Sequence, residues 1–310
     1  MTKIFAVTGA GGFVGNVLCR QLLSKGYKVK ALDNFHKGNC DALLGLVSNP
    51  NFEFTYGDVT NEKDIEKYLD GVDGIFHLAA IVGFPACGRQ PALAEAVNYS
   101  GTKNILKYRC GKALVFYSTG SVYGAVDGIC TEESPLNTNT IYGITKKNAE
   151  KLVSEESDTV SLRFATGFGL SENMRINLLV NDLVYQAINN RSLTVFEGHA
   201  NRTFIHTTDM GRAAILCMEK LLTKTLQHKI YNVGDNKLNC TKAELANMIA
   251  EKTKCIVNFA EFAKDCDQRD YIVDYSKINN EGFNCQVGLD SGINELIKAT
   301  PLLQIRHQYE

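Results

Sequence analysis

Residues 3–33 read KIFAVTGAGGFVGNVLCRQLLSKGYKVKALD. Lys3–Thr8 is a short β-rich run. Gly15–Lys25 has helical periodicity, with Val17, Leu18, Leu22 and Leu23 on one side and Gly26 closing it, and Tyr27–Leu32 is a second β-rich run. Strand and helix are joined by Thr8-Gly9-Ala10-Gly11-Gly12-Phe13-Val14-Gly15, spaced G-x-x-G-x-x-G, one residue longer at its start than the dinucleotide fingerprint G-x-G-x-x-G. Glycines allow the tight turn and let backbone N–H groups approach a pyrophosphate at the positive end of the helix. A glycine turn alone is also compatible with plain structure. Its position between strand and helix, and Asp33 closing the second strand, point to a dinucleotide. A carboxylate there can accept both ribose hydroxyls and repels a 2′-phosphate, which favours NAD over NADP; the alternative is that Asp33 is a turn or cap residue. The G-K-[ST] ending of a Walker loop is absent.

The same alternation continues outward. Phe52–Tyr56, Gly74–Leu78, Ala113–Tyr117 and Thr159–Phe164 read as further strands, with helices over Asn61–Leu69, Ala92–Arg109 and Tyr142–Glu155. Strands alternating with helices predict an α/β fold, a Rossmann-type doubly wound parallel sheet. After Gly169 the pattern loosens, with helices near Ile176–Ile188, Asp209–Leu222 and Lys242–Lys252 among short strands. The expected division is a nucleotide-binding domain over 1–168 and a smaller mixed lobe over 169–310, some of whose segments return to the first domain.

Composition bounds the class. With 33 Lys+Arg against 34 Asp+Glu in 310 residues, the net charge of −1 leaves no chain-wide basic footprint for nucleic acid or an anionic membrane. At 45% hydrophobic the chain is not a disordered one. No signal peptide or membrane span is read, and the ten cysteines are scattered without zinc spacing. A cytoplasmic, metal-free protein with reduced thiols is expected.

Tyr142 and Lys146 are four apart in Tyr142-Gly143-Ile144-Thr145-Lys146, on one face of a helix. Tyrosine, with a reference pKa of about 10, is a poor base at neutral pH; a neighbouring ammonium favours the phenolate. Y-x-x-x-K also arises by chance in helices. Here it follows a hydroxyl-rich strand end, Tyr117-Ser118-Thr119-Gly120-Ser121, where Thr119 can share a hydrogen bond with the hydroxyl that Tyr142 deprotonates.

With these residues the chain resembles the extended short-chain dehydrogenase/reductase family of nucleotide-sugar epimerases and dehydratases. The likeness spans nearly the whole length, through Gly57-Asp58-Val59, His77-Leu78-Ala79-Ala80, Val97-Asn98, Leu162-Arg163-Phe164, Asn201–His206, Tyr231-Asn232-Val233-Gly234 and Gln268-Arg269-Asp270-Tyr271. The resemblance implies NAD held by Gly9, Gly12, Phe13, Val14, Gly15, Asp33, Asn34, Asp58, Val59, Leu78, Ala79, Ala80, Asn98, Tyr142 and Lys146. Asp58 would meet the adenine amino group. Tyr142 would be the base, Lys146 its activator and the anchor of the nicotinamide ribose, and Thr119 the support of the sugar hydroxyl. The substrate, a nucleotide-diphosphate sugar with GDP or UDP, would meet Thr119, Thr166, Arg175, Asn177, Leu178, Arg202 and Arg269. A homodimer built on Ala92–Arg109 and Tyr142–Glu155 is a further implication.

The family's 4,6-dehydratases carry an acid and a base directly after the threonine, where this chain has Gly120 and Ser121. Ser121 also weakens the readings as a GDP-mannose-type dehydratase or a UDP-glucuronate decarboxylase, which usually carry Glu there. What remains is hydride transfer at sugar C4 to tightly bound NAD, giving a 4-keto sugar, as a 4-epimerase or a net 4-dehydrogenase. Ile81–Cys87 and Arg163–Thr166 resemble a bacterial subgroup that includes nucleotide-heptose C4 dehydrogenases. The alternative is therefore a GDP-heptose 4-dehydrogenase or 4-keto reductase of capsule or surface-polysaccharide biosynthesis. That subgroup usually has Asp at Phe84 and Ser-Pro-Arg at Ser171-Glu172-Asn173, so the sugar stays open. A catalytically silent NAD-binding protein is the reading from another class, against which stand Tyr142, Lys146 and Thr119.

Overall fold

The β-rich runs before residue 120 become β1 (Ile4–Thr8), β2 (Lys28–Asp33), β3 (Phe52–Tyr56), β4 (Gly74–His77) and β5 (Ala113–Thr119). They are followed by β6 (Ile129–Cys130), β7 (Thr159–Phe164), β8 (Thr166–Phe168), β9 (Ser192–Phe196), β10 (Asn201–His206), β11 (Ile230–Val233), β12 (Asn239–Thr241), β13 (Ile256–Ala260) and β14 (Ile272–Val273). The computed structural model describes residues 2–37, 40–124, 126, 128–260 and 272–308. Seven strands form one parallel sheet in the order β11-β7-β5-β4-β1-β2-β3. Every residue of β4, β5 and β7 is buried, as a sheet covered on both faces requires. β11, from the second half of the chain, completes this sheet beside β7 through Ile230↔Ser161 to Val233↔Phe164.

Helices α1 (Gly15–Ser24), α2 (Asp41–Leu44), α3 (Glu62–Tyr68), α4 (Phe84–Arg89), α5 (Pro91–Glu95), α6 (Gly101–Tyr108), α7 (Ile141–Glu155), α8 (Leu179–Asn190), α9 (Thr207–Leu222) and α10 (Lys242–Thr253) fill the connections. On one face of the sheet Leu18 and Leu22 of α1 and Ala213, Ala214 and Met218 of α9 join Phe5, Val7 and Val115. On the other, Ile65 of α3, Ile105 of α6, and Ala149 and Val153 of α7 join Ala6, Ile75 and Leu114. A third cluster of Phe168, Val184, Leu193, Phe204, Leu245 and Ile249 gathers α8, α10 and the short sheets β12-β10-β8 and β13-β9. Each fully buried leucine contributes about 1.5–3 kcal/mol, so the three clusters carry most of the stability.

Two helices differ from their sequence expectation. Ala92–Arg109 is interrupted by a π turn over Ala96–Ser100, an extra residue that turns Asn98 inward. The helix expected from Ile176 begins at Leu179. Asn181 Nδ2 bonds the carbonyls of Arg175 (3.0 Å) and Gly169 (3.3 Å), which holds 175–178 as a loop.

Candidate active site

Along the sheet the strand order reverses between β1 and β4, and ligands of doubly wound sheets bind outside the carboxyl ends at that point. A cleft of about 2090 Å³ opens there, bounded by the glycine turn, the ends of β2, β4 and β5, α7, and the loop from β8 to α8. Single small-molecule pockets run to about 1,000 Å³, so there is room for two ligands.

The glycine turn is fixed by contacts only glycine permits. Gly9 has φ +71°, and a Cβ on it would lie 2.8 Å from Ala79 N. A Cβ on Gly15 would lie 2.1 Å from the Gly9 carbonyl oxygen. Asp33 shapes the same turn, its Oδ2 accepting from Gly11 N (2.8 Å) and its Oδ1 from Phe35 N (2.7 Å). Burial pushes the Asp33 carboxyl above its usual range despite these donors. Asp58 goes the other way. Burial raises it, but Thr60 N and Oγ1 and Asn34 Nδ2, each at 2.8 Å, outweigh that and hold it low.

Tyr142 and Lys146 both face the cleft from the first turns of α7, which Thr140 caps through Gly143 N. Thr119 ends β5, accepting from Ser121 N at 3.1 Å. Lys146 Nζ lies 3.9 Å above the centroid of the buried Phe116 ring, a cation–π contact. Complete burial brings the Lys146 pKa down to about 7, against the opposing pull of Glu150 one turn on. Glu150 is itself paired with Arg163 (2.6 Å) and accepts from Ser118 Oγ (2.6 Å). Arg175 also faces the cleft; burial lowers its pKa, and Tyr142 lies close enough to oppose that shift.

A buried relay supports this wall. Thr8 Oγ1 accepts from Leu78 N and Ala79 N (both 3.2 Å), so its hydroxyl hydrogen goes to His77 Nδ1 at 2.7 Å. That assigns the proton of neutral His77 to Nε2, which donates to Thr102 Oγ1 (3.0 Å); Thr102 in turn donates to the Asn98 carbonyl (2.7 Å). Burial and the Lys146 charge hold His77 at a pKa of about 3, so it stays neutral.

The structure brings nearly all the expected residues to this cleft: Gly9, Gly12, Phe13, Val14, Gly15, Asp33, Asn34, Asp58, Val59, Leu78, Ala79, Ala80, Thr119, Tyr142, Lys146, Thr166, Arg175, Asn177, Leu178 and Arg202. Asn98, expected at the cofactor, is 1% exposed and does not line it. Its amide is spent on Ile81 N and O (2.7 and 3.0 Å) and Thr145 Oγ1 (3.0 Å), so it shapes the wall from behind. Arg269 lies outside the described residues. Sequence reasoning missed Phe35, Lys37, Arg89, Asn173 and Lys242 as lining residues and Phe116 as the platform of Lys146. The Asp33–Lys37 stretch directly after β2 was the available signal for the first two.

A model of the NAD dependent epimerase/dehydratase family matches residues 5–234. The chain belongs to this family. A Bacillus subtilis protein described as an uncharacterized UDP-glucose epimerase is 32% identical over 238 residues, covering 71% of this chain and 74% of that protein. The UDP-glucose 4-epimerase of Pisum sativum is 28% identical, covering 74% and 76%. The solved structure of UDP-glucuronic acid 4-epimerase from Bacillus cereus, in complex with UDP-glucuronic acid and NAD, superposes with a TM-score of 0.85 at 25% identity, covering 97% of this chain and 99% of that one. As a member of this epimerase/dehydratase family the protein is an NAD-dependent enzyme. Its residues fit the cofactor: a cradle at Gly9 and Gly15 that a Cβ would fill, and a carboxylate at the end of β2.

Proposed function

We propose that the protein is a UDP-sugar 4-epimerase. The observation that carries this reading is that Thr119, Tyr142 and Lys146 share one cleft with the glycine turn, while the two positions after Thr119 are Gly120 and Ser121, which supply neither the acid nor the base of an elimination. Bound NAD supplies hydride transfer at the sugar. The rest falls to the chain's own groups. Tyr142 takes the proton of the C4 hydroxyl and returns it after the sugar has turned, with Thr119 orienting that hydroxyl. Lys146 and Arg175 place positive charge beside Tyr142 and favour its phenolate.

Among the described residues, six Lys or Arg side chains line the cleft (Lys37, Arg89, Lys146, Arg175, Arg202 and Lys242) against three carboxylates, Asp33, Asp58 and Asp182. That excess suits two diphosphates, and the half of the cleft around Asn177, Leu178 and Arg202 is assigned to the sugar nucleotide. UDP is preferred because the Pisum sativum and Bacillus cereus relatives are UDP-sugar 4-epimerases. A GDP-heptose 4-dehydrogenase or 4-keto reductase has no support from those relatives.

The test is to incubate the protein with UDP-glucose, UDP-galactose, UDP-glucuronic acid and UDP-galacturonic acid, following absorbance at about 340 nm and identifying products by NMR. An inverted C4 centre without net NADH is expected. Stable NADH with a released 4-keto sugar would replace epimerisation by net dehydrogenation. Tyr142→Phe is expected to abolish turnover while NAD still binds; unchanged turnover would remove Tyr142 as the base.

A further inference from the structure

The loop between β8 and α8 touches both halves of the cleft. Its first part lies on the glycine turn. Asn173 Nδ2 donates to the Gly11 carbonyl (2.8 Å) and to the Lys37 carbonyl (3.4 Å). Ser171 Oγ accepts from Asn16 Nδ2 at 2.8 Å, and the same Asn16 amide donates to the Gly12 carbonyl at 2.7 Å. Asn173 N completes the corner by donating to Ser171 Oγ at 3.3 Å. Beside them Glu172 lies 3.4 Å from Arg20 of α1, an exposed pair that adds little.

The second part of the loop faces the other ligand. Arg175, Asn177 and Leu178 line the half of the cleft assigned to the sugar nucleotide. The two parts are tied to one buried side chain. Asn181, 2% exposed, holds the loop at both ends through Gly169 N (3.0 Å), Gly169 O (3.3 Å) and Arg175 O (3.0 Å). Only five residues, 174–178, separate the corner on the glycine turn from the start of α8. A ligand that orders 175–178 therefore also orders Asn173 on the Gly11 carbonyl and Ser171 on the Asn16 amide that holds the Gly12 carbonyl.

We propose that this strap couples the two ligand sites, so that the nucleotide diphosphate and NAD each tighten the binding of the other, with Ser171 and Asn173 as the positioning residues that carry the coupling. The inference rests on the reading of the cleft as an NAD and UDP-sugar site. Coupling free energy is reciprocal, so the factor by which UDP tightens NAD must equal the factor by which NAD tightens UDP. Such coupling usually amounts to about 5- to 150-fold, and a factor of about ten is expected here. The consequence for the enzyme is that cofactor release is slowest while a sugar nucleotide is bound, so the oxidised and reduced forms of one cofactor stay with one sugar through the reaction.

The probe is UDP itself. NAD affinity is measured by equilibrium titration of cofactor-stripped protein with and without saturating UDP, and UDP affinity with and without NAD. In the wild type both ratios are expected near ten. In Asn173→Ala, and separately in Ser171→Ala, both ratios are expected to fall toward one, while UDP affinity in the absence of NAD stays within about two-fold of wild type. Circular dichroism and the melting midpoint check that each variant folds, and the second variant stands in if the first does not. UDP binding with no change in NAD affinity overturns the coupling and leaves the UDP-sugar reading standing. A full ten-fold ratio retained in both variants overturns the role of Ser171 and Asn173. Failure of UDP to bind at all overturns the UDP-sugar reading itself, and the coupling with it.

Discussion

Gly15→Ala is the sharpest test of how the cofactor turn is built. The added Cβ would stand 2.1 Å from the Gly9 carbonyl oxygen and 2.9 Å from both Gly9 C and Ala10 Cα. All three are backbone atoms of the turn, so no flexible side chain can swing aside. Restoring ordinary contact at 3.4 Å or more requires the added Cβ and the Gly9 carbonyl oxygen to part by at least about 1.3 Å. Overpacking of this kind costs about 1–3 kcal/mol of stability. The same shift moves the N–H groups of 12–15 away from the pyrophosphate. Losing one such charge-assisted bond, worth about 1.5–3 kcal/mol, weakens NAD binding by roughly ten- to a hundred-fold. Isothermal titration with NAD and a thermal melt measure the two effects on one sample. Gly88→Ala is the control: it sits in α4 with nothing within 4 Å of the added Cβ and is expected to be neutral or slightly stabilising. The reasoning fails if Gly15→Ala binds NAD within about two-fold of wild type and melts at the same temperature.

Two further outcomes follow from the buried charges beside the cleft. Lys146 has a folded pKa of about 7 against 10.5 unfolded, so below pH 7 its charge is buried at full cost and above it the folded protein sheds the proton first. The NAD-free protein is therefore expected to gain stability as pH rises from about 7 toward 10.5, and Lys146→Met to flatten that rise. Melting curves of both proteins across this range decide it, and equal slopes would refute the assignment. Glu150→Gln leaves the Arg163 guanidinium, 3% exposed, without its counter-charge, and the denaturant midpoint is expected to fall by the equivalent of about 3 kcal/mol; a loss under about 1 kcal/mol would show that Tyr123 and the Glu132 carbonyl suffice to hold Arg163.

How much of this was legible beforehand depended on whether the signal was local. Strands β1 to β5 and β7 and helices α1, α3 and α7 were read because a β-rich run, or an apolar stripe along a helix, is a local pattern; β11, whose place beside β7 depends on the chain returning to the first sheet, was not read as one of its strands. The reading stopped where a side chain answers to a distant backbone. Nothing near Asn98 says that its amide will be spent on Ile81 and Thr145, because that depends on a π turn set by packing. Nor does anything near Ile176 say that Asn181 will reach back to the carbonyls of Gly169 and Arg175 and delay α8. Phe116 reads as one more core residue of a buried strand. Its role beneath Lys146 exists only once β5 and α7 are stacked. Ser171-Glu172-Asn173 was noticed only as a stretch that departs from a related subgroup after its serine, yet Asn16 and Gly11, which Ser171 and Asn173 meet, lie more than 150 residues away.

Asp33 shows why residue type and residue role have to be argued separately. From the sequence it has two readings, a ribose acceptor or a turn residue, and the geometry makes it a turn residue whatever else it does. Gly11 N and Phe35 N each occupy one carboxylate oxygen. Each oxygen keeps a second acceptor direction, which is what a ribose diol needs. Burial raises the Asp33 pKa, yet the two backbone donors oppose that shift and favour the anion that repels a 2′-phosphate. If Asp33 also meets the ribose, discrimination against NADP and the shape of the glycine turn would rest on one side chain. Replacing it to admit a 2′-phosphate would leave the Gly11 and Phe35 amides without their acceptor. A change of cofactor therefore has to rebuild the turn as well as the charge, and a single substitution at Asp33 does only half of that.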